Sequence, residues 1–443
     1  MFMLVKLKSL ISHQGVIRYL SNISWLLCEK ILRMSVGLIV SIWVTRYLGP
    51  DQFGLYSYVI SFVGIFSVIA TLGLDEIIIK NLVRHKEKEG EILGSAFGLK
   101  LIGGFMAISI IAITASISTD DTTTISLIMI AASAIIFQSF NVVDFFFQGK
   151  VLSKYVALSN GVVLFISSIL KIVLMLNEAP LAAFVWVVLL DSVVLMVGLL
   201  IFFTMHASLP FQGLRFKKSL AYSFLSESWP LMLSGIVISV YMKIDQVMLK
   251  EMLGNEAVGQ YAAAVRLSEA WYFIPLIICS SVFPAIINAK ALNQDLYNER
   301  LQKLFDILAV IAIIIAIPMT FTSNWLAELL YGDQYSEAGN VLSIHIWAGV
   351  FVFLGIASSK WLIVENLQIY FTINTTIGVV INIILNYILI KKFGVEGSAW
   401  ATLISQFIAA YLSLSFWVKT RPNFVSLSKS LLFLRVLNAN KPS

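Results

Sequence analysis

Charged side chains are scattered through otherwise apolar stretches of this sequence, and they are the first candidates for chemistry. The basic ones are Lys30, Arg33, Lys100, Lys171, Lys243, Arg266 and Lys360. The acidic ones are Glu29, Asp144, Asp191, Glu227, Asp245 and Glu269. A charge surrounded by hydrocarbon is costly, so such residues normally face a water-filled cavity or pair with an opposite charge. These side chains can bind a charged solute, form ion pairs, or do both.

Spacing along the chain separates locally paired charges from the others. Glu29 and Arg33 are four residues apart and Arg266 and Glu269 are three apart, so each pair shares a helix face. For these pairs, a stabilising ion pair and a binding role both stay open. Lys30, Lys100, Lys171 and Lys360 have no acid three or four residues away, and the first three lie deeper in their predicted helices.

We expect these three lysines to line a hydrated cavity that attracts anions, since lysine is a common point-charge partner of phosphate. The alternative is pairing with Asp144, Asp191 or Glu227. Lys360 lies near a predicted helix end, where its ammonium can reach the lipid headgroups. The predicted substrate-binding residues are Lys30, Arg33, Lys100, Lys171 and Arg266. The predicted gating or ion-pair residues are Glu29, Asp144, Asp191, Lys243, Asp245 and Glu269.

The elements that carry these charges are membrane-spanning helices. Hydrophobic residues make up 59% of the 443 positions and charged residues only 13%, whereas soluble domains carry roughly 25% charged residues. Apolar runs of about 20 residues recur along the whole chain, the length needed to cross a bilayer as a helix. We predict helices at 20–45, 55–76, 92–115, 123–148, 155–176, 181–205, 222–249, 258–287, 303–328, 338–364, 369–390 and 396–418. The predicted fold class is an all-α membrane protein with about twelve transmembrane helices.

Basic residues in the connections predict the orientation. With the N-terminus inside, 20 of the 31 Lys and Arg residues lie on the cytoplasmic side and 4 on the opposite side. This bias predicts a multi-pass membrane protein with both termini in the cytoplasm. The net charge of +6 reflects these basic loops, and we predict no nucleic-acid partner.

An internal repeat divides the chain. Arg46 to Tyr56 reads RYLGPDQFGLY and Glu251 to Tyr261 reads EMLGNEAVGQY, so Leu, Gly, Gly and Tyr recur at equivalent places. Each stretch joins the first and second helices of a six-helix half. The sequence therefore predicts two pseudo-symmetric six-helix bundles, 1–214 and 215–443, with the substrate site between the repeats.

Signatures of catalysis are missing from the sequence. It has no GxxxxGK stretch for nucleotide binding and no HExxH or Cys/His metal spacing, so we predict that the chain is not an enzyme and carries no cofactor. Proton and sodium coupling both stay open. For Asn374, Asn382 and Asn386, on one predicted helix, we expect hydrogen bonds between helices, with sugar contact as the alternative.

Two stretches carry a family resemblance. RYLGPDQFGLYSY followed by LGLDEIIIKNLVRHKEK, and KIDQVMLKEMLGNEAVGQYAAAVRLSEAWYFIP ending in SSVFPAI, resemble the polysaccharide-exporter family that includes the Wzx-type O-antigen flippases. That family shares a superfamily with the multidrug-extrusion transporters and the peptidoglycan-precursor flippase.

The resemblance implies transfer of undecaprenyl-diphosphate-linked oligosaccharide, such as an O-antigen unit for lipopolysaccharide biosynthesis, from the cytoplasmic to the periplasmic leaflet. It implies membrane lipids and the lipid-linked oligosaccharide as partners, with the polysaccharide polymerase machinery as a further candidate. A cation-coupled multidrug or small-molecule exporter of the same fold is the alternative. A membrane glycosyltransferase or sugar polymerase is disfavoured, because the chain has no connection long enough for an extramembrane domain.

Overall fold

The computed structural model describes residues 14–207 and 213–432, and within these ranges every regular element is helical. Ten helical segments in the described ranges are long and apolar enough to cross a membrane. The helices are α1 (Gln14–Thr71), α2 (Asp75–Arg84), α3 (Glu89–Ser118), α4 (Thr122–Gln138), α5 (Val142–Gly149), α6 (Lys154–Leu176), α7 (Leu181–His206), α8 (Lys218–Leu253), α9 (Asn255–Glu269), α10 (Phe273–Leu292), α11 (Gln294–Tyr331), α12 (Ala338–Val364), α13 (Gln368–Ala410) and α14 (Arg421–Leu431).

Two of the ten segments contain a glycine that interrupts the helix. Gly49 in α1 has φ 69° and ψ 169°, and Gly394 in α13 has φ 60° and ψ −137°. Both lie outside the helical region of backbone conformations, so each segment consists of two helices joined at the glycine. The ten segments thus contain twelve apolar helices, and the prediction of an all-α membrane protein is confirmed.

The chain divides into two compact units. Unit 1 comprises the described residues up to Tyr47 together with Phe62–Ile236, and unit 2 comprises Leu48–Ser61 and the described residues from Val237 onward. The sequence analysis placed its boundary at residues 214 and 215. The repeat stretch that follows Gly49 therefore packs within unit 2, although it belongs to the first half of the sequence.

Unit 1 is organised around a core of large apolar side chains. Phe146 and Phe147 of α5 and Phe203 of α7 are fully buried in it, together with Ile78 of α2 and Leu93 of α3. The amphipathic helix α2 carries Asp75 and Glu76 in its first turn, where acidic side chains favour the positive end of the helix dipole. This core fixes α2, α3, α5 and α7, the helices that carry or flank the charged residues of the unit.

Unit 2 has its core between α10, α11 and α12. The short helix α14 folds back onto this core. Its Ser430 donates a hydrogen bond to Asp306 of α11 (2.6 Å) and accepts one from Gln302 (2.7 Å). Its Asn423 donates to the Ser358 hydroxyl of α12 (2.6 Å). Polar contacts of this kind orient α14 at the end of the bundle.

Several predicted boundaries were wrong for local reasons. The helix predicted at 123–148 is two helices separated by the 3-10 turn Ser139–Asn141. The helix predicted at 258–287 is interrupted at residues 270–272, and the one predicted to end at 418 ends at Ala410. Helices α2 and α14 were not predicted. Hydropathy detects apolar runs, and none of these interruptions or amphipathic helices changes the mean hydropathy enough to be seen.

Candidate functional site

A buried carboxylate surrounded by neutral hydrogen-bond donors lies inside unit 2. Asp245 of α8 is 6% exposed. Its Oδ2 accepts hydrogen bonds from the Tyr261 hydroxyl of α9 (2.7 Å) and the Thr402 hydroxyl of α13 (2.6 Å). Its Oδ1 accepts one from the Asn386 amide of α13 (2.7 Å). Three helices thus converge on one carboxyl group.

A second layer of polar groups surrounds this carboxylate. Asn386 also donates to the Asn382 side-chain oxygen (3.0 Å) and accepts a hydrogen bond from the Ser398 hydroxyl (2.8 Å). Ser405 accepts hydrogen bonds from Asn382 (3.4 Å) and from the Tyr241 hydroxyl (3.1 Å). Asn382, Asn386, Ser398 and Ser405 are fully buried. The expected hydrogen bonding between helices is therefore present for two of the three asparagines.

The electrostatics of the cluster leave a place for a proton or a cation. No described Lys or Arg side chain lies within ion-pair distance of Asp245, and its donors are neutral hydroxyl and amide groups. An uncompensated buried carboxylate costs several kcal/mol or more, so it takes up a proton or a counter-ion. Carboxylate, hydroxyl and amide oxygens are also the ligands that hard cations prefer.

Further titratable residues line the small cavity beside this cluster. Glu269 of α9 and His345 of α12 share its wall with Asp245. The positive charges of Lys243 and Arg266 both attract the Glu269 carboxylate. His345 is buried and its Nδ1 lies 3.0 Å from the Ser268 hydroxyl. Asp245, Glu269 and Lys243, which the sequence placed among the gating or ion-pair residues, therefore belong to one region of unit 2.

Arg266, predicted to bind substrate, stays accessible. Residues 257–265 of α9 are buried, whereas Arg266 on the same helix is exposed. Its guanidinium lies 5.7 Å from the centre of the Phe53 ring, a distance at which the ring attracts a cation. No ion pair between Arg266 and Glu269 forms within the 4.0 Å limit, so their spacing of three residues has not produced a salt bridge.

The charges of unit 1 fall into separate groups. Arg33 lies 2.9 Å from Glu29, as their spacing permits, and the Arg33 side chain is 53% exposed. Lys30 is exposed and makes no ion pair or hydrogen bond to another described residue. Lys80 pairs with Glu227, which removes Glu227 as a partner for the deeper lysines.

Lys100 has a partner that sequence spacing did not indicate. Its ammonium lies 2.9 Å from Asp75 of α2 and 4.4 Å from the centre of the Phe145 ring, and its side chain is 5% exposed. Asp144 accepts a hydrogen bond from Gln148 (2.9 Å) and contributes a weaker attraction to Lys100. The buried ammonium is thus paired with Asp75, an acid outside the three alternatives named from the sequence, and the substrate role of Lys100 stays a prediction.

Lys171 and Asp191 lie on the neighbouring helices α6 and α7. The charge of Lys171 acts on Asp191, whose Oδ2 accepts a hydrogen bond from the Ser167 hydroxyl at 3.0 Å. The other carboxylate oxygen of Asp191 is buried without a hydrogen bond. Of the predicted substrate-binding residues, Lys30, Arg33 and Arg266 are thus exposed, whereas Lys100 is buried in an ion pair and Lys171 is partly buried near Asp191.

The repeat motifs contact each other inside unit 2. Gly49 and Gly254 have positive φ angles of 69° and 94°, which glycine adopts without the penalty that other residues incur. Five residues further on, Gly54 and Gly259 lie where the two helices touch. A methyl group at Gly54 would come within 1.8 Å of the Asn255 carbonyl oxygen, and one at Gly259 within 2.0 Å of the Pro50 carbonyl oxygen. Because Pro50 and Asn255 are equivalent repeat positions, the contact is reciprocal.

The direct partners of Asp245 were not recognised as such from the sequence. Tyr261 was noted only as a residue of the repeat, and neither Thr402 nor Ser398, which bonds to Asn386, was singled out. A signal for them exists, because Asn382 and Asn386, and again Ser398 and Thr402, are four residues apart and place polar side chains on one face of an apolar helix. Such a paired stripe in a membrane helix indicates a buried polar site.

The apolar helices and the charges buried among them are those of a multi-pass membrane protein. The sequence profile of the family described as polysaccharide biosynthesis protein matches residues 19–290. This match covers more than half of the chain, which therefore belongs to the polysaccharide biosynthesis protein family. A second profile, MatE, matches residues 230–388.

Two curated relatives come from Haloferax volcanii. The chain is 29% identical over 201 residues to the probable flippase AglR, a match that spans 44% of this chain and 40% of that protein. It is 23% identical over 189 residues to a probable low-salt glycan biosynthesis flippase, spanning 40% of this chain and 39% of that protein. The chain thus matches about two fifths of the length of these relatives.

Solved structures of low sequence identity share the fold. An inward-facing multidrug resistance MATE family transporter superposes with a TM-score of 0.72 at 15% identity, covering 90% of this chain and 95% of that one. The lipid II flippase MurJ, in an inward closed conformation, superposes with a TM-score of 0.70 at 18% identity, covering 94% and 92%. These similarities establish that the chain shares the fold of these two proteins.

Proposed function

We propose that this protein is a flippase that moves polyprenyl-diphosphate-linked oligosaccharide from the cytoplasmic to the opposite leaflet of a bacterial inner membrane. The observation that carries the proposal is the family match over residues 19–290, which spans α1 to most of α10. The curated relatives named as flippases support the same activity. The excess of Lys and Arg in one set of connections supports cytoplasmic termini.

The accessible cations are the residues proposed to meet the diphosphate. Lys30, Arg33 and Arg266 are exposed charges within segments long and apolar enough to cross a membrane. A diphosphate loses its hydration on leaving water, and charge-assisted hydrogen bonds from Lys and Arg replace part of that loss. We keep Lys171 in this set and propose that Lys100 stabilises unit 1 instead, since it is paired with Asp75.

The Asp245 cluster is the proposed coupling site. A carboxylate that gains and loses a proton or a sodium ion changes the charge inside unit 2, and side chains of α9 and α13 bond to this residue of α8. Binding therefore favours one packing of these helices over another. The cation gradient would in this way supply the energy for directional transfer.

Accumulation of substrate in cells tests the proposed activity. In a strain that lacks this gene and any redundant flippase, we expect lipid-linked oligosaccharide to remain on the cytoplasmic leaflet and the surface polysaccharide to be lost. Complementation with Lys30→Gln or Arg266→Gln should restore less polymer than wild type at equal protein abundance, because each removes a charge while keeping a polar side chain. Normal surface polymer in the deletion strain would overturn the proposal.

A cation-coupled exporter of small molecules is the second candidate, favoured by the MatE match over residues 230–388 and by the shared fold. The exposed charges named above are cations, which favours an anionic cargo over a cationic drug. Measuring resistance to cationic drugs in the same deletion strain separates the two. Hypersensitivity together with unchanged surface polymer would support the exporter.

A further inference from the structure

A cavity of about 220 Å³ lies inside unit 2 next to the Asp245 cluster. Its walls come from α8, α12 and α13 and from Tyr272 in the connection before α10, and they include Ser358, Ser359 and Gly355 of α12 and Asn374 and Thr375 of α13. These residues lie in the halves of α12 and α13 that flank their connection, Glu365–Leu367. That connection is on the side of the bundle predicted to be cytoplasmic.

The cavity adjoins the small cavity that contains Asp245. Tyr241, Met242, Tyr272 and Gln406 line both of them. The two cavities therefore share part of their walls. Rotation of these shared side chains would connect the end of unit 2 at the α12–α13 connection with the Asp245 carboxylate.

Gln406 indicates what this path holds. Its amide makes no hydrogen bond to another described residue, although it lies between the two cavities and is only partly exposed. Polar groups inside a protein are almost always hydrogen-bonded, to water if not to protein. An amide without a protein partner at this place therefore requires water or an ion beside it. The other polar groups at the mouth are already bonded, since Ser358 accepts from Asn423 and Asn374 accepts from Trp417.

We propose that this cavity is the route by which the coupling cation travels between Asp245 and the cytoplasm, with Tyr241, Tyr272 and Gln406 forming its narrowest part. The inference rests on the proposed coupling role of Asp245. The route gives the ion a direction of travel, towards the side of the α12–α13 connection. The ion then leaves through unit 2 and does not pass the exposed cations proposed to meet the diphosphate.

Adjacent threonines provide a matched test of whether the cavity contains water. Thr375 lines the cavity, whereas Thr376 is exposed and does not. Each hydroxyl bonds only to a carbonyl of its own helix, at 2.8 Å. In a Cys28→Ser background, a membrane-impermeant thiol reagent on the cytoplasmic face should label Thr375→Cys at least about tenfold faster than Thr376→Cys. Equal rates, or faster labelling of Thr376→Cys, would mean that the cavity is dry and would overturn the route.

Blocking the path tests its connection to Asp245. Thr375→Phe places a ring in the cavity and Thr376→Phe places the same ring outside it. Mixing the purified protein with Na⁺, or shifting the pH, should change its tryptophan fluorescence with a rate that Thr375→Phe lowers about tenfold. Thr376→Phe should leave that rate unchanged, and the equilibrium affinity should stay the same in both.

The outcomes separate the route from the coupling site. If wild type responds, Asp245→Asn does not respond, and the two Phe variants have equal rates, the route is wrong while the coupling site stands. If wild type gives no response to Na⁺ or pH, both the coupling site and the route are wrong. A slowed response in Thr375→Phe alone supports the route.

Discussion

The reciprocal contact of the two repeat motifs makes a quantitative prediction about stability. Gly54→Ala or Gly259→Ala adds one methyl group where the nearest atom is a backbone carbonyl oxygen, at 1.8 Å and 2.0 Å respectively. A backbone atom cannot rotate aside, so the two helices must separate by more than 1 Å. Overpacking of this kind costs about 1–3 kcal/mol, and we expect each variant to lose that amount before other effects are counted.

Helix propensity acts in the opposite direction. Replacing a helical glycine with alanine favours the helix by about 1 kcal/mol. Gly37 and Gly161 provide controls, since both are helical and an added methyl group meets nothing within 4 Å. Gly37→Ala and Gly161→Ala should therefore leave stability unchanged or raise it slightly. Because this gain is common to all four variants, it cancels in the comparison, and the contact variants should be less stable than these controls by about 1–3 kcal/mol.

The natural cysteines allow a direct assay. Cys279 is buried in unit 2 and Cys28 is exposed, so in a Cys28→Ser background a fluorogenic thiol reagent reports unfolding around Cys279. The midpoint temperature of thermal unfolding, followed by the labelling of Cys279, should fall by several degrees in Gly54→Ala and Gly259→Ala. The double variant should lose less stability than the two single variants lose together, because one separation of the helices relieves both clashes. If the contact variants match Gly37→Ala, the helices do not touch at these glycines and the reasoning is refuted.

Three further predictions concern charge. Lys100→Gln should lower the stability of unit 1 by about 1–3 kcal/mol, because a buried ion-pair partner is lost. The abundance of the protein in the membrane should fall accordingly. Wild-type abundance with impaired transport would instead indicate a substrate role for Lys100. Exchanging Glu29 and Arg33 for one another should restore the activity lost in either single variant if their 2.9 Å contact is structural, whereas continued loss would indicate contact with substrate. For topology, alkaline phosphatase fused after residues 120, 178 and 334 should be active and a cytoplasmic reporter at the same points inactive. After residues 87, 213 and 295 the opposite result is expected. The wrong reporter activity at any of these six points would mean that a helix has been miscounted.

Sequence patterns predicted the helices and the repeat well because both depend on local properties. Apolar runs of membrane length identify spans directly. The motif around Gly49 and Gly254 indicated equivalent turns, and both glycines have positive φ. From the sequence alone, Gly54 and Gly259 could serve either a turn or close packing between helices. The structure shows close packing at both, and this could not be predicted because it depends on which helices contact each other.

The polar contacts could not be predicted from one sequence, because their partners are far apart in the chain. Asp245 bonds to Asn386 and Thr402, which are 141 and 157 residues away. Lys100 pairs with Asp75 on a different helix, 25 residues away. Spacing rules detect partners three or four residues apart on one helix. They identified the Glu29–Arg33 contact for this reason and gave no information on the longer pairings.

Transfer of a lipid-linked oligosaccharide between leaflets can be measured with the purified protein reconstituted in vesicles. Proteoliposomes would carry polyprenyl-diphosphate oligosaccharide, and a glycosidase added outside would report the fraction of sugar in the outer leaflet over time. We predict that the protein speeds the appearance of cleavable sugar well above protein-free vesicles, and that Asp245→Asn removes most of the acceleration produced by a Na⁺ or proton gradient. The same rate in protein-free vesicles and in vesicles with correctly folded protein would contradict the account.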